Sequence, residues 1–500
     1  LICSTNGETL LKLGQDNALG GDLNMVYIVN GYSNNPSLLC VYTNGSGFTL
    51  NYFALPLTQT TIQGQGTAEN PYQIASMSDF MHIEQAPDAH YIVVNDVDFM
   101  NVPFAGIRVP FTGVLNGDKH AFNNVVLNGS GLFAFVQDDA VIRDLKLSHP
   151  VMQLGEVVTS AGLLANTIQG NMSGDDGSME TETVAATLHN IHIESPKVVG
   201  DGYKGLFGGM VGEASLFVSI TQSSVTEADI TLPMAKSIIG GLAGKLATSS
   251  SVKACLFTGT INGGDAVGGM VAEAGSGEAI QHCHVDATLH GTNTIGGVIA
   301  YSQRAPIANC YVEGNLVLSD KALVGKVGGV IGNLELDEMG NGPIVLANCL
   351  IGIESITLPI DSVYAHRVIG FSAGDKYNYF EQKYEMPETK IQGCYILSDL
   401  AAVDASIQLT DTTTEGANLS VEALTADWLA LHGFVLGNTV DAPWSLSNTL
   451  GLWFEDGQIG SGIKDIWTDN SQSIIRKMII NGQVVIIREG KMYNVMGNLL

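Results

Sequence analysis

Basic residues are scarce in this sequence of 500 residues, which has 22 Lys and Arg against 50 Asp and Glu. The formal net charge of −28 argues against a nucleic-acid partner, because phosphate binding requires a basic surface. Long apolar runs are missing too. No stretch of about 18 apolar residues occurs, so we expect no transmembrane helix, and contact with a membrane only through an anchor.

Cysteine is scarce as well, and its count of seven is odd. Because a disulfide-stabilised fold pairs its cysteines, an odd number argues against such a scaffold. Five of the seven belong to a repeated strand pattern, and we interpret them as buried free thiols that act as small apolar side chains. Disulfide bonds between neighbouring strands remain an alternative, as does a bond between Cys3 and Cys40 in an exported protein.

Glycine, by contrast, is abundant, with 59 residues, and part of it recurs at a regular spacing. Five Gly-Gly pairs, each followed by two apolar residues and then Gly or Ala, begin at Gly208, Gly240, Gly268, Gly296 and Gly328. These positions are 32, 28, 28 and 32 residues apart. Such a period is typical of a repeat protein whose core grows along one axis.

Short alternating strands that begin with cysteine lie between the glycine pairs and after them. Since strand side chains alternate between two faces, each cysteine shares a face with the apolar residue two positions later. One such strand per coil, in register with the next coil, predicts a parallel β-solenoid. In earlier coils we align Ser223, Ile191, Leu145 and Val125 with the cysteines. The five cysteine strands are 255–258, 283–286, 310–313, 349–352 and 394–397.

The predicted architecture is all-β: a right-handed parallel β-helix with a small N-terminal β module, a C-terminal cap and a β-hairpin tail. We assign residues 1–60 to the N-terminal module, 61–455 to the β-helix with its capping helices, and 456–500 to the tail. Strand-like runs separated by turn residues indicate the N-terminal module. The dipeptide Asn481-Gly482 predicts a hairpin turn in the tail.

Two capping helices are predicted. The first has Ser76 or Ser78 as its N-cap and runs through Glu84, and the second covers 421–432 and ends at Gly433. All four tryptophans lie after residue 427. We interpret them as a cap that closes the open end of the solenoid with large side chains, and a sugar-binding aromatic platform is the alternative.

A resemblance to a known family covers residues 64–455. The chain has Gly-Thr-x-x-Asn-Pro-Tyr at 66–72, then a predicted short helix, then a strand that ends in Asp96-x-Asp98. Phe-x-Gly-x-x-x-Gly-x-x-His follows at 111–120. In this order, and with the Gly-Gly repeats, the chain resembles bacterial surface proteins that carry GLUG motifs.

The resemblance implies an exported, adhesin-like β-helix at the bacterial cell surface, either anchored in the outer membrane or secreted. The resemblance leaves the ligand unassigned, and we expect a glycan or an extracellular protein as partner and a monomeric chain. The ending GKMYNVMG resembles the short C-terminal modules of exported bacterial surface proteins, which implies a role in secretion or anchoring. GLUG repeats also occur beside metallopeptidases, but the HExxH zinc motif is absent from this sequence.

The best candidate site is a pair of carboxylates, Asp286 and Glu313, which the cysteine alignment places on neighbouring strands. Parallel strands about 4.8 Å apart bring two such groups near the spacing of about 5–5.5 Å that retaining glycosidases use. His284 and Tyr311 lie beside them. Three interpretations of these four residues are open. They are a catalytic carboxylate pair with two neighbours, a contact site for carbohydrate or calcium, or an ordinary solvated strand face.

Metal sites have little support in the sequence. His282 and His284 would share one strand face, but no spacing supplies the remaining ligands of a structural zinc site. Asp96 and Asp98 are interpreted as acceptors for turn amides rather than as calcium ligands. A weak calcium option remains in the insertion at 169–182, which contains Asp175, Asp176 and Glu180.

These observations predict a non-enzymatic, exported protein that presents an elongated binding surface and needs no cofactor. A β-helical lyase or glycoside hydrolase is the first alternative, and it predicts a cleft lined by carboxylates and a basic residue. A purely structural spacer is the second, and it predicts no ligand at all.

Overall fold

The computed structural model describes backbone and side chains between residues 62 and 455, except for 172–184, 234–235, 276, 320–323, 336–345, 360–362, 373–390 and 447–449. Elsewhere it describes only strand backbones. The chain divides into two compact units, Leu1–Gln63 and Gly64–Leu500.

The first unit is built from antiparallel strands. Asp22–Asn30 pairs with Pro36–Asn44, which pairs in turn with Gly47–Ala54. A second small sheet joins Ile2–Cys3 and Thr9–Leu11. The strands predicted in this region are therefore confirmed, whereas the side chains of Cys3 and Cys40 lie outside the described residues.

The second unit contains three stacked sheets whose neighbouring coils pair in parallel. We name them sheet I, with 24 strands, sheet II, with eight, and sheet III, with seven. Sheet I comprises Tyr72–Ile74, His90–Val93, Val97–Asp98, Pro103–Phe104, Val114–Asn116, Ala121–Asn123, Val126–Asn128, Val141–Ser148, Val151–Gln153, Ala186–Glu194, Lys197–Val199, Val218–Thr221, Ser224–Leu232, Ser251–Lys253, Leu256–Gly263, Ala279–Gln281, His284–Gly291, Ile307–Ala308, Tyr311–Leu318, Ile344–Ala347, Leu350–Thr357, Thr389–Gln392, Tyr395–Ile396 and Ala417–Asn418.

Sheets II and III form the other walls of the coil. Sheet II comprises Phe133–Gln137, Ala165–Gln169, Val211–Ala214, Ala243–Leu246, Val271–Ala274, Ile299–Ser302, Ile331–Leu334 and Ile369–Ser372. Sheet III comprises Ser160–Gly162, Leu206–Gly208, Ile238–Gly240, Ala266–Gly268, Thr294–Gly296, Gly325–Gly328 and Val363–His366. The Gly-Gly pairs lie at the bend from sheet III to sheet II. The predicted parallel β-helix is confirmed.

Smaller antiparallel elements complete the second unit. The tail forms the three-stranded meander expected from the sequence, with Ile475–Ile480, Gln483–Arg488 and Lys491–Tyr493. The remaining strands are Asn171–Ser173 with Glu182–Val184, Lys376–Asn378 with Lys383–Glu385, and Trp444–Leu446 with Leu450–Trp453 and Ile459–Ser461.

The cysteine column is confirmed. Cys255, Cys283, Cys310, Cys349 and Cys394 are fully buried and free, and successive coils are joined by backbone hydrogen bonds at these positions. The column continues through Ser223 and Ile191 to Leu145. The predicted place of Val125 is wrong, because Ala121 pairs with Lys146 and His120 therefore lies beside Leu145.

A left-handed corner precedes the cysteine position in each coil, and from Gln222 onward it separates two consecutive strands of sheet I. His282 adopts φ 53° there, and Gln222 adopts 52° in the same position of an earlier coil. Asn, Asp and His tolerate this conformation better than other residues with a side chain. Residues at the corner are Asp144, Asn190, Gln222, Ala254, His282, Asn309, Asn348 and Gly393.

We expect the five ladder thiols to be unreactive in the folded protein. All five are fully buried and out of reach of a reagent. Burial also raises the pKa of Cys255 and of Cys310, which disfavours the reactive thiolate, whereas hydrogen bonds with Cys310 and Cys394 lower the pKa of Cys349. The test is thiol titration with Ellman's reagent on a Cys3→Ser/Cys40→Ser variant, before and after unfolding in urea. Thr288→Cys, at an outward position on a strand of sheet I, is the reactive control. Fast labelling of the folded Cys3→Ser/Cys40→Ser variant would contradict the burial of the cysteine column.

The N-terminal helix caps the first coils. Ser76 is its N-cap and accepts a hydrogen bond from the backbone N–H of Asp79, so Ser76 rather than Ser78 has this role. The α-helix Met77–Phe80 continues as the 3₁₀-helix Met81–Glu84. The ring of Phe80 packs against four further phenylalanines of the first coils, which closes this end of the core: Phe99, Phe104, Phe122 and Phe133.

The predicted helix over 421–432 is present in two pieces, the 3₁₀-helix Val421–Ala423 and the α-helix Ala426–Leu431. The break occurs because Thr425 is extended and caps the second piece with its side chain. Gly433 follows with φ 80°, as expected from the sequence.

Candidate functional site

The tryptophan-bearing segment 419–455, which we call the strap, lies along the side of the β-helix. The predicted closure of the open end by these tryptophans is therefore wrong for Trp444, which contacts a middle coil. The strap crosses successive coils toward the N-terminal end. Its contacts are Asn309 Nδ2 to the His432 carbonyl at 2.8 Å, Trp444 Nε1 to His282 Nδ1 at 3.1 Å, the ion pair between Lys253 and Asp441, and His189 Nε2 to Glu455 Oε1 at 3.2 Å.

Large side chains on the outward face of sheet I explain the position of the strap. Leu256, His284, Tyr311, Leu350 and Tyr395 occupy one register column, in the position directly after each cysteine. The strap covers the apolar members of this column and forms one cluster with them. Burying such side chains contributes about 1.5–3 kcal/mol each. Sequence reasoning missed the strap, although a large residue at an outward position of every cysteine strand is its signal.

Two of the four predicted site residues lie beneath the strap. His284 and Tyr311 are 0% and 1% exposed, and their rings stack with centroids 4.9 Å apart. His284 Nε2 donates to Glu313 Oε2 at 3.0 Å, while Nδ1 has no hydrogen-bond partner among the described residues. The expectation of an open face is wrong for His284 and Tyr311, because alternation places them outward but the strap then covers them.

Asp286 and Glu313 are brought together, as predicted. They are register partners on neighbouring strands, and Thr258 is the partner of Asp286 on the other side. Burial raises the pKa of Tyr311, and the carboxylates of Glu313 and Asp286 raise it further. The two carboxylates therefore form the border between the strap and the open part of sheet I.

Beyond this border, sheet I presents a flat surface of half-buried or exposed side chains, which we call the polar face. Apolar Ile261, Leu289 and Leu316 point inward between its outward positions. Hydroxyl, amide and carboxylate groups recur on neighbouring strands, about 4.8 Å apart. The first column is Asp229, Thr260, Thr288, Asn315 and Ser355, and the second is Thr231, Asn262, His290, Val317 and Thr357.

Histidine and acidic residues do not assemble a metal site within the described part of the chain, where no group of three or more His, Cys, Asp or Glu is arranged to hold an ion. His282 lies at a corner rather than on one strand face with His284. Asp98 accepts a hydrogen bond from the turn amide of Met100, as predicted, whereas Asp96 accepts one from the amide of Ala121 on a neighbouring strand. Asp175, Asp176 and Glu180 lie outside the described residues.

The C-terminal end of the β-helix contains a cavity of about 800 Å³, lined in part by Arg367, Asp399 and Asn418. Neither Asp286 nor Glu313 lines it. Arg367 is buried and its guanidinium bonds to Glu415, to Asn418 and to backbone carbonyls. The cavity therefore belongs to the segment that packs on the last coil. No site residue was predicted there from the sequence.

Comparisons with known proteins give limited similarity. No family model matches the chain. Halomucin of Haloquadratum walsbyi is 28% identical over 141 residues, which is 23% of this chain and 2% of the length of that relative. The solved structure of an IgA1 protease aligns with this chain at a TM-score of 0.40 and 14% identity. The alignment covers 96% of this chain and 38% of the protease chain. No helix in the described residues is long and apolar enough to cross a membrane.

Proposed function

We propose that the chain is the β-helical part of an exported bacterial surface protein of the GLUG type, and that it binds an extracellular ligand without catalysis. The Gly-Gly repeats and the motifs at 66–72 and 111–120 support the family. The net charge of −28 supports a solvated extracellular surface rather than a nucleic-acid partner.

The polar face carries this proposal. Its hydroxyl and amide groups both donate and accept hydrogen bonds, and Asp286 adds a carboxylate at the border. A glycan chain laid across several coils would meet a polar side chain of the first column at each step, since the coils are in register. We therefore propose an extended glycan as the ligand, with an extracellular protein as the alternative that the same experiment detects.

One observation supports a polysaccharide-cleaving enzyme, namely that Asp286 and Glu313 are register partners. Glu313, however, accepts a hydrogen bond from the buried His284, and its neighbour Tyr311 is covered by the strap. A retaining glycosidase needs both carboxylates beside the sugar, and the described cavity lies elsewhere. Binding without cleavage is therefore the better account.

Binding should depend on the polar face alone. We expect Thr288→Arg to weaken glycan binding about tenfold, equivalent to 1.4 kcal/mol, because a long side chain obstructs the face. Thr167→Arg is the matched control, a half-buried threonine in the outward column of sheet II. The measurement is a glycan array followed by titration of the best ligand, with Asp286→Asn assayed for release of reducing ends.

Each outcome separates the candidates. Equal losses in the two arginine variants would contradict a site on the polar face. Reducing ends released by the parent chain and abolished by Asp286→Asn would establish the enzyme instead. An intact chain that binds neither glycans nor extracellular matrix proteins would favour the structural spacer.

A further inference from the structure

Histidines are concentrated where the strap meets the β-helix. The chain has 11 histidines, and five of them lie on the strap, at the corner that it crosses or in the columns that flank this corner. The five are His189, His192, His282, His284 and His432. The interface is therefore rich in imidazoles, the side chains whose ordinary pKa lies nearest to neutral pH.

One of these contacts depends on an uncharged imidazole. Trp444 is fully buried, and its indole nitrogen can only donate, so His282 Nδ1 must accept the hydrogen bond of 3.1 Å. Only an imidazole whose Nδ1 carries no proton accepts it. Protonated His282 would direct a second N–H at the indole N–H, and Trp444 would then be buried without a partner.

We propose that the strap is a pH-sensitive cover, whose closed position His282 stabilises near neutral pH and whose opening becomes more frequent in acid. Each opening uncovers the column that contains Leu256, Tyr311 and Leu350 and thereby exposes an apolar stripe along the β-helix. The ligand chemistry of the polar face is a separate question, because this inference does not depend on the proposed function.

The direction of the effect follows from the surroundings of His282. Burial lowers its pKa to about 4, the ammonium of Lys253 lowers it further, and the carboxylate of Asp441 on the strap opposes both. A solvated imidazole in the open state titrates near 6.5. The open state therefore binds the proton first as pH falls, and the ratio of closed to open strap decreases by about 100-fold between pH 7 and pH 4.

Other titratable groups at the strap have smaller effects. His189 pairs with Glu455, and its protonation favours the closed strap, but both side chains are partly exposed and the pair is screened. His284 donates to Glu313 beneath the strap, and that bond persists when His284 is protonated. The ion pair between Lys253 and Asp441 weakens only when Asp441 is protonated, and Lys253 lowers the pKa of Asp441.

Hydrogen exchange of the intact chain tests the cover directly. Between pH 7 and pH 4, after correction for intrinsic exchange, protection of peptides from 419–455 should decrease about 100-fold. Protection of peptides from the cysteine strands serves as the internal reference and should hold. His282→Gln should abolish the decrease, because an amide oxygen accepts the indole N–H and does not titrate. Glutamine already occupies this corner at Gln222.

His290→Gln is the matched control, since it removes a histidine of the same coil that lies on the polar face, away from the strap. It should retain the decrease seen in the parent. Trp444→Phe, which removes the N–H donor, should also reduce the pH dependence. Unchanged strap protection in the parent at pH 4, or a decrease in His282→Gln equal to that of the parent, would overturn the proposal.

Discussion

Gly269→Ala is expected to lower the free energy of unfolding by at least about 4 kcal/mol, or to prevent folding altogether. A Cβ on Gly269 would lie 2.1 Å from the carbonyl oxygen of Gly297 in the next coil and 2.7 Å from a methyl of Val285. Relief requires neighbouring coils to separate, because backbone hydrogen bonds from Gly269 to Gly296 and from Met270 to Val298 hold this bend against the next coil. One methyl group would thus disturb the sheet register on both sides.

Gly155→Ala is the control for this prediction, since an added Cβ there meets nothing within 4 Å. It should leave the urea midpoint, followed by far-UV circular dichroism, unchanged. If Gly269→Ala unfolds at the same urea concentration as Gly155→Ala, close coil contact is not the reason for the repeated glycines.

The β-helix was predictable because one local cause repeats in every coil. A Cβ added to the second glycine of each pair would lie 2.0–2.1 Å from the carbonyl oxygen of the residue at the same position one coil later. The cysteine column likewise repeats a single buried slot. A sequence period records such a constraint directly, since each copy must satisfy the same neighbour.

The candidate site was only partly predictable, for the opposite reason. Register on neighbouring strands follows from the period, and it placed Asp286 beside Glu313. The strap, however, joins Trp444 to His282 and Asp441 to Lys253, and these pairs form once in the chain. A sequence period reflects only contacts that recur in every coil, so it could not predict these two pairs. The exposure of His284 and Tyr311 therefore could not be read from strand alternation alone.

The last coil shows how the repeat ends. Its copy of the motif reads His366-Arg367-Val-Ile-Gly, so the two residues that align with Gly-Gly carry long side chains. Arg367 succeeds Gly329 in the glycine column. No further Gly-Gly coil follows, so its side chain has room. Sequence comparison of GGVIG with HRVIG would have identified this position.

The side chain of Arg367 fills this space and binds the segment 397–418, which packs on the last coil. Its Nε lies 3.2 Å from Glu415 Oε2, and its other nitrogens donate to Asn418 and to the carbonyls of Leu400 and Gly416. Burial raises the pKa of Glu415, but hydrogen bonds from His366 and two backbone amides outweigh it, so the net pKa is lowered. The carboxylate therefore remains charged and depends on its cationic partners.

Arg367→Ala is expected to cost about 3–5 kcal/mol of unfolding free energy, because it leaves a buried carboxylate without its guanidinium. Lys204→Ala is the control, since its pair with Glu156 is solvent-exposed and contributes less than about 1 kcal/mol. Urea unfolding gives the totals, and hydrogen exchange should lose protection first in 397–418. The double variant Arg367→Ala/Glu415→Gln should recover part of the loss, because the buried group that faced the guanidinium then carries no charge. If the double variant is no more stable than Arg367→Ala, the lost packing of the arginine, and not the orphaned charge, is what the last coil depends on.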